Sequence, residues 1–356
     1  MSQDLSSDIP RLSIGENEEN ETEMSRNKSP SSNPSGFLDP MDSHEIRPVS
    51  PDSGSMRSMN SCRTDQEPTE RGKMDVVVVP ATIHRSNSQM DSNMAAYDMY
   101  RLPRGLAVII DIEIYENDVQ ERRVGSHVDV KNLFQLFEGL SFEVELYQNL
   151  QLSQFHEVIT EFRSNKQHLE SDMAIVAILS HGKDGIVYAA DGQSIDMEGI
   201  YELFNNKNCP LLQGKPKFFI VQACRGDYPD QGVERENERP AVAKKRRAAG
   251  LDRIPNTPDV RGIGRARPTW EDMIIAYSTI PGYASLRDHE RGTWFIQSLV
   301  EVFMSHAHNT ELVDLLRMTS ERLSHFSNEQ GEKQTCNVEM RHLYKRIYFN
   351  PGNLSN

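Results

Sequence analysis

The chain has 356 residues, a formal charge of −14 at neutral pH and four cysteines, Cys62, Cys209, Cys224 and Cys336, with no CxxC or CxxH spacing. That pattern offers neither a disulfide framework nor a zinc site, so free thiols in a reducing compartment are expected, with no metal and no cofactor. The acidic balance speaks against nucleic-acid binding, no apolar stretch approaches the ~20 residues that span a bilayer, and Met1-Ser2-Gln3-Asp4-Leu5 lacks a leader's basic and apolar regions; no membrane partner is expected and the cytoplasm is the default location.

Residues 1 to about 72 are rich in Ser, Asn, Asp, Glu and Pro and show no apolar face of helical period, too little to bury a core against chain entropy. The segment preceding the folded domain is set at residues 1–95 and expected to be disordered. Within it, Val76-Val77-Val78-Val79 reads as an incidental apolar patch, with a strand or a docking segment as the other readings. From Arg104 onward, strand-like and helix-like stretches alternate. Gly105 to Glu113 reads as a strand, His127 to Gly139 as an amphipathic helix and Phe142 to Leu146 as a second strand. Ser153 is a candidate cap for a helix running to Phe162. Met173 to Leu179 is a third strand, apolar without alternation, as expected of a strand covered on both faces. Asp191-Gly192 marks a hairpin between Ile186–Ala190 and Gln193–Ile195. A helix near Met197 to Phe204 leads to the strand Lys217 to Val221.

After a polar break from about Asp227 to Thr269 come a strand at Met273 to Ser278, two helices at Thr293–His306 and Glu311–Phe326, and a last strand near Arg346 to Phe349. This alternation indicates an α/β fold with a mostly parallel six-stranded sheet and helices on both faces.

Two residues with chemistry stand just past strand ends. Cys224 lies in Gln222-Ala223-Cys224-Arg225-Gly226, and His181 lies 43 residues before it in Ser180-His181-Gly182. In open α/β sheets ligands bind outside the carboxyl ends of the strands, so two neighbouring parallel strands would bring thiol and imidazole to one rim. A thiol of ordinary pKa, about 8.5, needs such a base to attack at neutral pH.

The pentapeptide, with a histidine about 50 residues upstream, is an established local signature of caspases. The chain resembles that family from about Met99 to Phe349, through Gly105 to Ile110, the arginine-bearing loop before Val128-Asp129, Ser180-His181-Gly182, the Cys224 pentapeptide, Ala276-Tyr277-Ser278-Thr279 and Trp294-Phe295-Ile296-Gln297. The resemblance implies a caspase-like three-layer sandwich and an endopeptidase cutting after aspartate, made as a zymogen and acting in programmed cell death on protein substrates. It implies Cys224 as nucleophile, His181 as base, and the amides of Gly182 and Cys224 as donors to the oxyanion. Arg123, Gln222 and Arg287 would hold the substrate aspartate, Ser285 would lend main-chain bonds to an extended peptide, and Trp294 would wall the fourth subsite, against its plain reading as a buried helix aromatic.

By the same resemblance, residues 96–259 are the large catalytic part, including a linker at about 227–259, and residues 260–356 the small one. Cut sites after Asp227, Asp230, Asp252 or Asp259 are available in the linker, with Asp259 favoured because Asn256-Thr257-Pro258-Asp259 is extended by its proline; Asp91 is the expected site in the N-terminal segment. Lys244-Lys245-Arg246-Arg247 also fits a nuclear-import signal, which adds the nucleus to the expected locations. A homodimer of large/small pairs is implied, with Ile347-Tyr348-Phe349 as its edge. Two departures stand out: Ala284-Ser285-Leu286-Arg287 lacks the aromatic residues many caspases carry there, and the loop from Ser327 to Arg341 is short. They leave room for a catalytically weak homologue that regulates another caspase by binding. A relative that cuts after Arg or Lys would need an acidic pocket, which two arginines oppose.

Overall fold

The computed structural model describes residues 74–85, 94–233 and 267–352. In chain order the elements are β1 (Gly105–Asp111), α1 (Ser126–Gly139), β2 (Phe142–Gln148), α2 (Leu152–Ser164), β3 (Met173–Leu179), β4 (Gly182–Lys183), β5 (Ile186–Tyr188), β6 (Ser194–Asp196), α3 (Met197–Leu203), β7 (Lys217–Gln222), β8 (Met273–Tyr277), β9 (Arg287–Asp288), β10 (Gly292–Thr293), α4 (Trp294–His306), α5 (Leu312–Ser324) and β11 (Asn337–Arg341). Six strands form the main sheet in the order β11-β8-β7-β3-β1-β2, with β11 antiparallel to β8 and the other pairs parallel.

The strand sequences explain the layering. β1, β3, β7 and β8 are buried at every residue, so alternate side chains must find cover on opposite faces. Ala107, Ile109, Ile175, Phe218 and Ile220 pack with the apolar stripes of α1, α4 and α5. Val108, Ile110, Val176, Phe219 and Val221 pack with those of α2 and α3. Each large side chain so buried contributes about 1.5–3 kcal/mol, which is what clamps helices to both faces of the sheet. Among the described residues no helix is long and apolar enough to cross a membrane.

Several expectations are corrected. The sixth strand is Asn337–Arg341 and not Arg346 to Phe349, so the short loop expected up to Arg341 contains the sheet's edge. Ile347, Tyr348 and Phe349 are no edge; they are buried, with Ile347 and Phe349 in the cluster under α4 and α5. The polar sequence of β11 is the physical reason, since an edge strand with one neighbour carries charge where a central strand carries isoleucine. Ser153 does not cap α2; Gln151 does, in a reciprocal capping box with Gln154. Finally, Val76 to Val79 is no incidental patch. Residues 74–85, placed in the segment expected to be disordered, lie against the domain with Val76 and Val78 on its core. Residues 1–73, Asp91, Asp252, Asp259 and the tetrad at 244–247 fall outside the described residues.

Candidate active site

The register of the sheet sets the positions of thiol and imidazole. Leu179 of β3 pairs with Gln222 of β7, and His181 and Cys224 each lie two residues beyond that rung. The Ser180 N–H still donates to the Gln222 carbonyl at 3.1 Å, so the two loops leave the sheet side by side. Gly182 follows within a close approach: a Cβ there would sit 2.6 Å from the Ile186 carbonyl and 3.0 Å from that of Cys224, which only glycine permits.

His181 is held from both ends. Its main-chain N–H donates to the Tyr115 hydroxyl at 2.8 Å, and Tyr115 also bonds the Ser180 hydroxyl at 2.8 Å. Its Nε2 lies 2.8 Å from the Glu121 carbonyl. A carbonyl can only accept, so Nε2 carries the proton and Nδ1 is left as the basic nitrogen. Burial pushes the imidazole below its usual pKa of 6.5, the Glu121 carbonyl opposes that shift, and the charges of Arg123 and Arg287 add to it. The ring is therefore neutral at physiological pH.

Cys224 is half-buried beneath the loop that joins β8 to β9. The Ser285 N–H donates to its Sγ at 3.4 Å, and the thiol in turn faces the Ser285 carbonyl at 3.9 Å. That loop is fastened to the chain following the cysteine. Arg225 and Tyr228 exchange main-chain hydrogen bonds with Gly282, Tyr283 and Ala284, and Asp230 pairs antiparallel with Lys333.

His181, Cys224, Arg123, Gln222, Ser285 and Arg287 line one cavity of about 200 Å³. Arg123 is 2 % exposed and is fixed by Asp111, which it meets at 2.9 Å, with the Ser126 hydroxyl at 2.8 Å and the Ile112 carbonyl at 3.2 Å. Arg287 differs. Its Nε is buried without a partner, and no carboxylate among the described residues forms an ion pair with it. Burial lowers its pKa from the usual range and the neighbouring Arg123 lowers it further, while Asp129 and Cys224 act the other way. Asp129 itself, fully enclosed at the start of α1, is pushed up to about 7 by burial, so it neutralises these cations only in part. Gln222 donates to the Ser285 hydroxyl at 2.9 Å and keeps a buried Oε1 without a partner. The cavity thus combines a thiol, a neutral imidazole and surplus positive charge with unmet hydrogen-bonding capacity, which fits a carboxylate.

Trp294 is placed apart from this group. It is 8 % exposed, its ring 5.5 Å from that of Phe326, and it lines a second, wider cavity of about 560 Å³ that shares Arg287 with the first. The indole is packed, as its plain reading expects, and it also borders this second cavity. Leu286 lines the first cavity, and its N–H is tied to Gln334 Oε1 at 2.7 Å. Sequence reasoning missed Asp111, Ser126, Tyr115, Glu121 and Gln334. An aspartate closing an all-apolar strand was a signal for Asp111; Glu121 acts through its main chain, which no residue type announces.

The match to the caspase domain model covers residues 104–348. The chain is 33% identical to Cell death protein 3 of Caenorhabditis remanei over 78% of this chain and 55% of that protein, and 31% identical to Caspase-2 of Gallus gallus over 74% and 63%. It therefore spans less than two thirds of the length of these two relatives. The crystal structure of Caspase-1 from Spodoptera frugiperda superposes with a TM-score of 0.62 at 26% identity, covering 77% of this chain and all of that one. With a family match over more than half its length and a site assembled from the family's motifs, the chain belongs to the caspase family.

Proposed function

We propose that the protein is a cysteine endopeptidase that cuts peptide bonds after aspartate, made as a zymogen and acting in programmed cell death. The observation that carries this reading is the shared cavity in which Cys224 and His181 stand beside Arg287, a half-buried arginine whose enclosed Nε has no partner and which pairs with no carboxylate among the described residues. In this reading Cys224 Sγ attacks the scissile carbonyl carbon while His181 Nδ1 takes the thiol proton. The imidazolium then protonates the departing amine, leaving a thioester that water, activated by the same nitrogen, hydrolyses to acid and free thiol. The amides of Gly182 and Cys224 are the proposed oxyanion donors, and losing one such donor typically costs ~3–4 kcal/mol in barrier height. Arg123 supplies charge already anchored by Asp111, whereas Arg287 offers a free face of its fork to the substrate aspartate. The Tyr283–Arg287 segment takes the peptide by strand addition.

Activation is proposed to follow a cut after Asp259, in the stretch that separates Cys224 from Arg287. Asp230 is the weaker alternative, because its backbone is paired with Lys333 and that pairing must open before a protease can hold it extended. A homodimer of large/small pairs is retained as part of the proposal, with β11 taking the edge role first expected of Ile347 to Phe349. Purified protein incubated with aspartyl and arginyl peptide reporters tests the reading. Cleavage of the aspartyl reporter alone, lost by at least about a hundredfold in Cys224→Ser, is the expected result. An inert wild type, or cleavage after arginine, sinks it.

A further inference from the structure

Residues 74–85 lie along the domain, and from Met74 to Val79 their exposure alternates residue by residue. Met74, Val76 and Val78 are half-buried on the core beneath α1 and α4, while Val77 and Val79 are 68 % and 42 % exposed. Such alternation is what an extended peptide shows when one face is seated. The seat is shaped for it. At Gly139, the last residue of α1, an added Cβ would come within 2.5 Å of Val78 Cγ2, so the glycine opens the space the valine fills.

Hydrogen bonds fix the segment along its length. The Val79 N–H donates at 2.9 Å to the carbonyl of Met304, one of the last-turn carbonyls that α4 cannot satisfy by itself. The Ala81 N–H donates to the Pro351 carbonyl at 2.8 Å. Asn350, itself buried, accepts from the Arg85 N–H at 2.9 Å and returns a bond to the Arg85 carbonyl at 3.1 Å. The His84 ring stacks on Tyr100 at 4.4 Å, with Nε2 2.9 Å from the Met99 carbonyl. The partners come from both sides of the linker: Gly139, Met99 and Tyr100 precede it, and Met304, Asn350 and Pro351 follow it.

Backbone pairing along a groove, a small residue under a branched one, and an asparagine closing a ring on the peptide backbone are the features of peptide recognition. Here the peptide belongs to the chain itself. We propose that residues 74–85 are a docking strap, which keeps the N-terminal region bound to the catalytic domain after the backbone between residues 85 and 94 is cut. The sequence between those residues contains Asp91, and in the proposed reading the protease itself makes the cut there, adding water across the Asp91-Ser92 bond to leave a carboxylate and an amine. Retention does not depend on who cuts. While the connection is intact the strap is held at high local concentration, and after the cut only its own contacts hold it.

The full chain carrying Cys224→Ser, with a foreign protease recognition sequence replacing residues 86–93, separates this proposal from the protease reading because it needs no activity of its own. After cleavage by the foreign protease, size-exclusion chromatography should recover the N-terminal fragment with the catalytic domain, and an excess of free peptide spanning residues 74–85 should displace it. Val78→Asp, which puts a charge into the apolar seat, and Gly139→Leu, which fills it from the other side, should each weaken retention by about tenfold or more. The three atoms nearest an added Cβ at Gly139 all belong to Val78, so Gly139→Leu acts first on the strap, and circular dichroism of the variant separates loss of retention from loss of fold. A fragment that elutes alone overturns the proposal. Retention that survives Val78→Asp and Gly139→Leu, or that the peptide does not displace, overturns it equally by showing that other residues hold the fragment.

Discussion

The two rims of the central sheet treat buried charge in opposite ways. At the amino ends of the strands, Lys217 is 1 % exposed; its Nζ donates to the carbonyls of Lys215 and Leu212, and it feels the charge of Asp272. Asp272 in turn accepts from the Tyr97 hydroxyl. At the carboxyl ends, Arg123 is matched by Asp111, but Arg287 beside it is left without a partner for Nε. A rim whose buried cation finds its acceptors within the chain serves the fold. A rim that keeps a half-buried cation waiting spends stability on a ligand that has yet to arrive.

The comparison is broken or sharpened first by the two arginines. Arg123→Ala should hit twice. It strands the fully buried Asp111, which costs about 3–5 kcal/mol of stability, and it weakens kcat/KM on aspartyl substrates by about 2–5 kcal/mol. Arg287→Ala should show the kinetic loss alone, with stability changed by no more than about 1 kcal/mol because no internal partner is orphaned. Chemical denaturation beside steady-state kinetics separates these cases. Equal destabilisation by both variants would end the claim that the upper rim holds one matched and one unmatched cation.

Lys217→Met carries the comparison to the other rim, with a smaller effect. It should cost about 1–3 kcal/mol by leaving Asp272 and two carbonyls without their cation, and kcat/KM should not move. The pH dependence adds a signature. Burial pushes the Lys217 ammonium down to about 8 from 10.5, so the unfolded chain holds the extra proton between those values and wild-type stability must rise as pH climbs through that window. The variant should lack that rise. A wild-type curve that is flat, or falling, over the same range would show that the ammonium is not held as the burial implies.

How much of this was legible in the sequence follows from what kind of residue each element uses. β3 and β7 were readable because unbroken apolar runs have few alternatives in a chain of this composition, and with them came the placement of His181 and Cys224. β11 was not, because Asn337, Glu339 and Arg341 obey the rules of an edge and look like a loop. The seat of Val76 to Val79 was ambiguous for a related reason: four identical apolar residues hide the alternation that the fold imposes on them. In the site, the arginines came from motif resemblance, but what distinguishes them is an interaction of one with Asp111, twelve residues away, and its absence in the other. The Glu121 carbonyl that orients His181 has no sequence signature at all, since every residue type carries one.

That carbonyl leads to the smallest expected effect, a shift of one titration. Four influences bear on the His181 ring: burial, which disfavours the imidazolium; the Glu121 carbonyl, which favours it by accepting from Nε2; the charges of Arg123 and Arg287, which disfavour it; and the Glu121 carboxylate, which favours it. Burial is the largest, so the pKa should fall below the usual 6.5, with the imidazole ready to accept a proton throughout the physiological range. NMR of the ring in Cys224→Ser measures this without interference from the thiol. Arg287→Ala in the same background should bring the value back toward 6.5, because it removes one repelling charge and opens the site to water, and both changes act in the same direction. A ring that titrates at or above 6.5 before the arginine is removed would mean that the upper rim does not concentrate positive charge around its base, and the contrast between the two ends of the sheet would lose its electrostatic half.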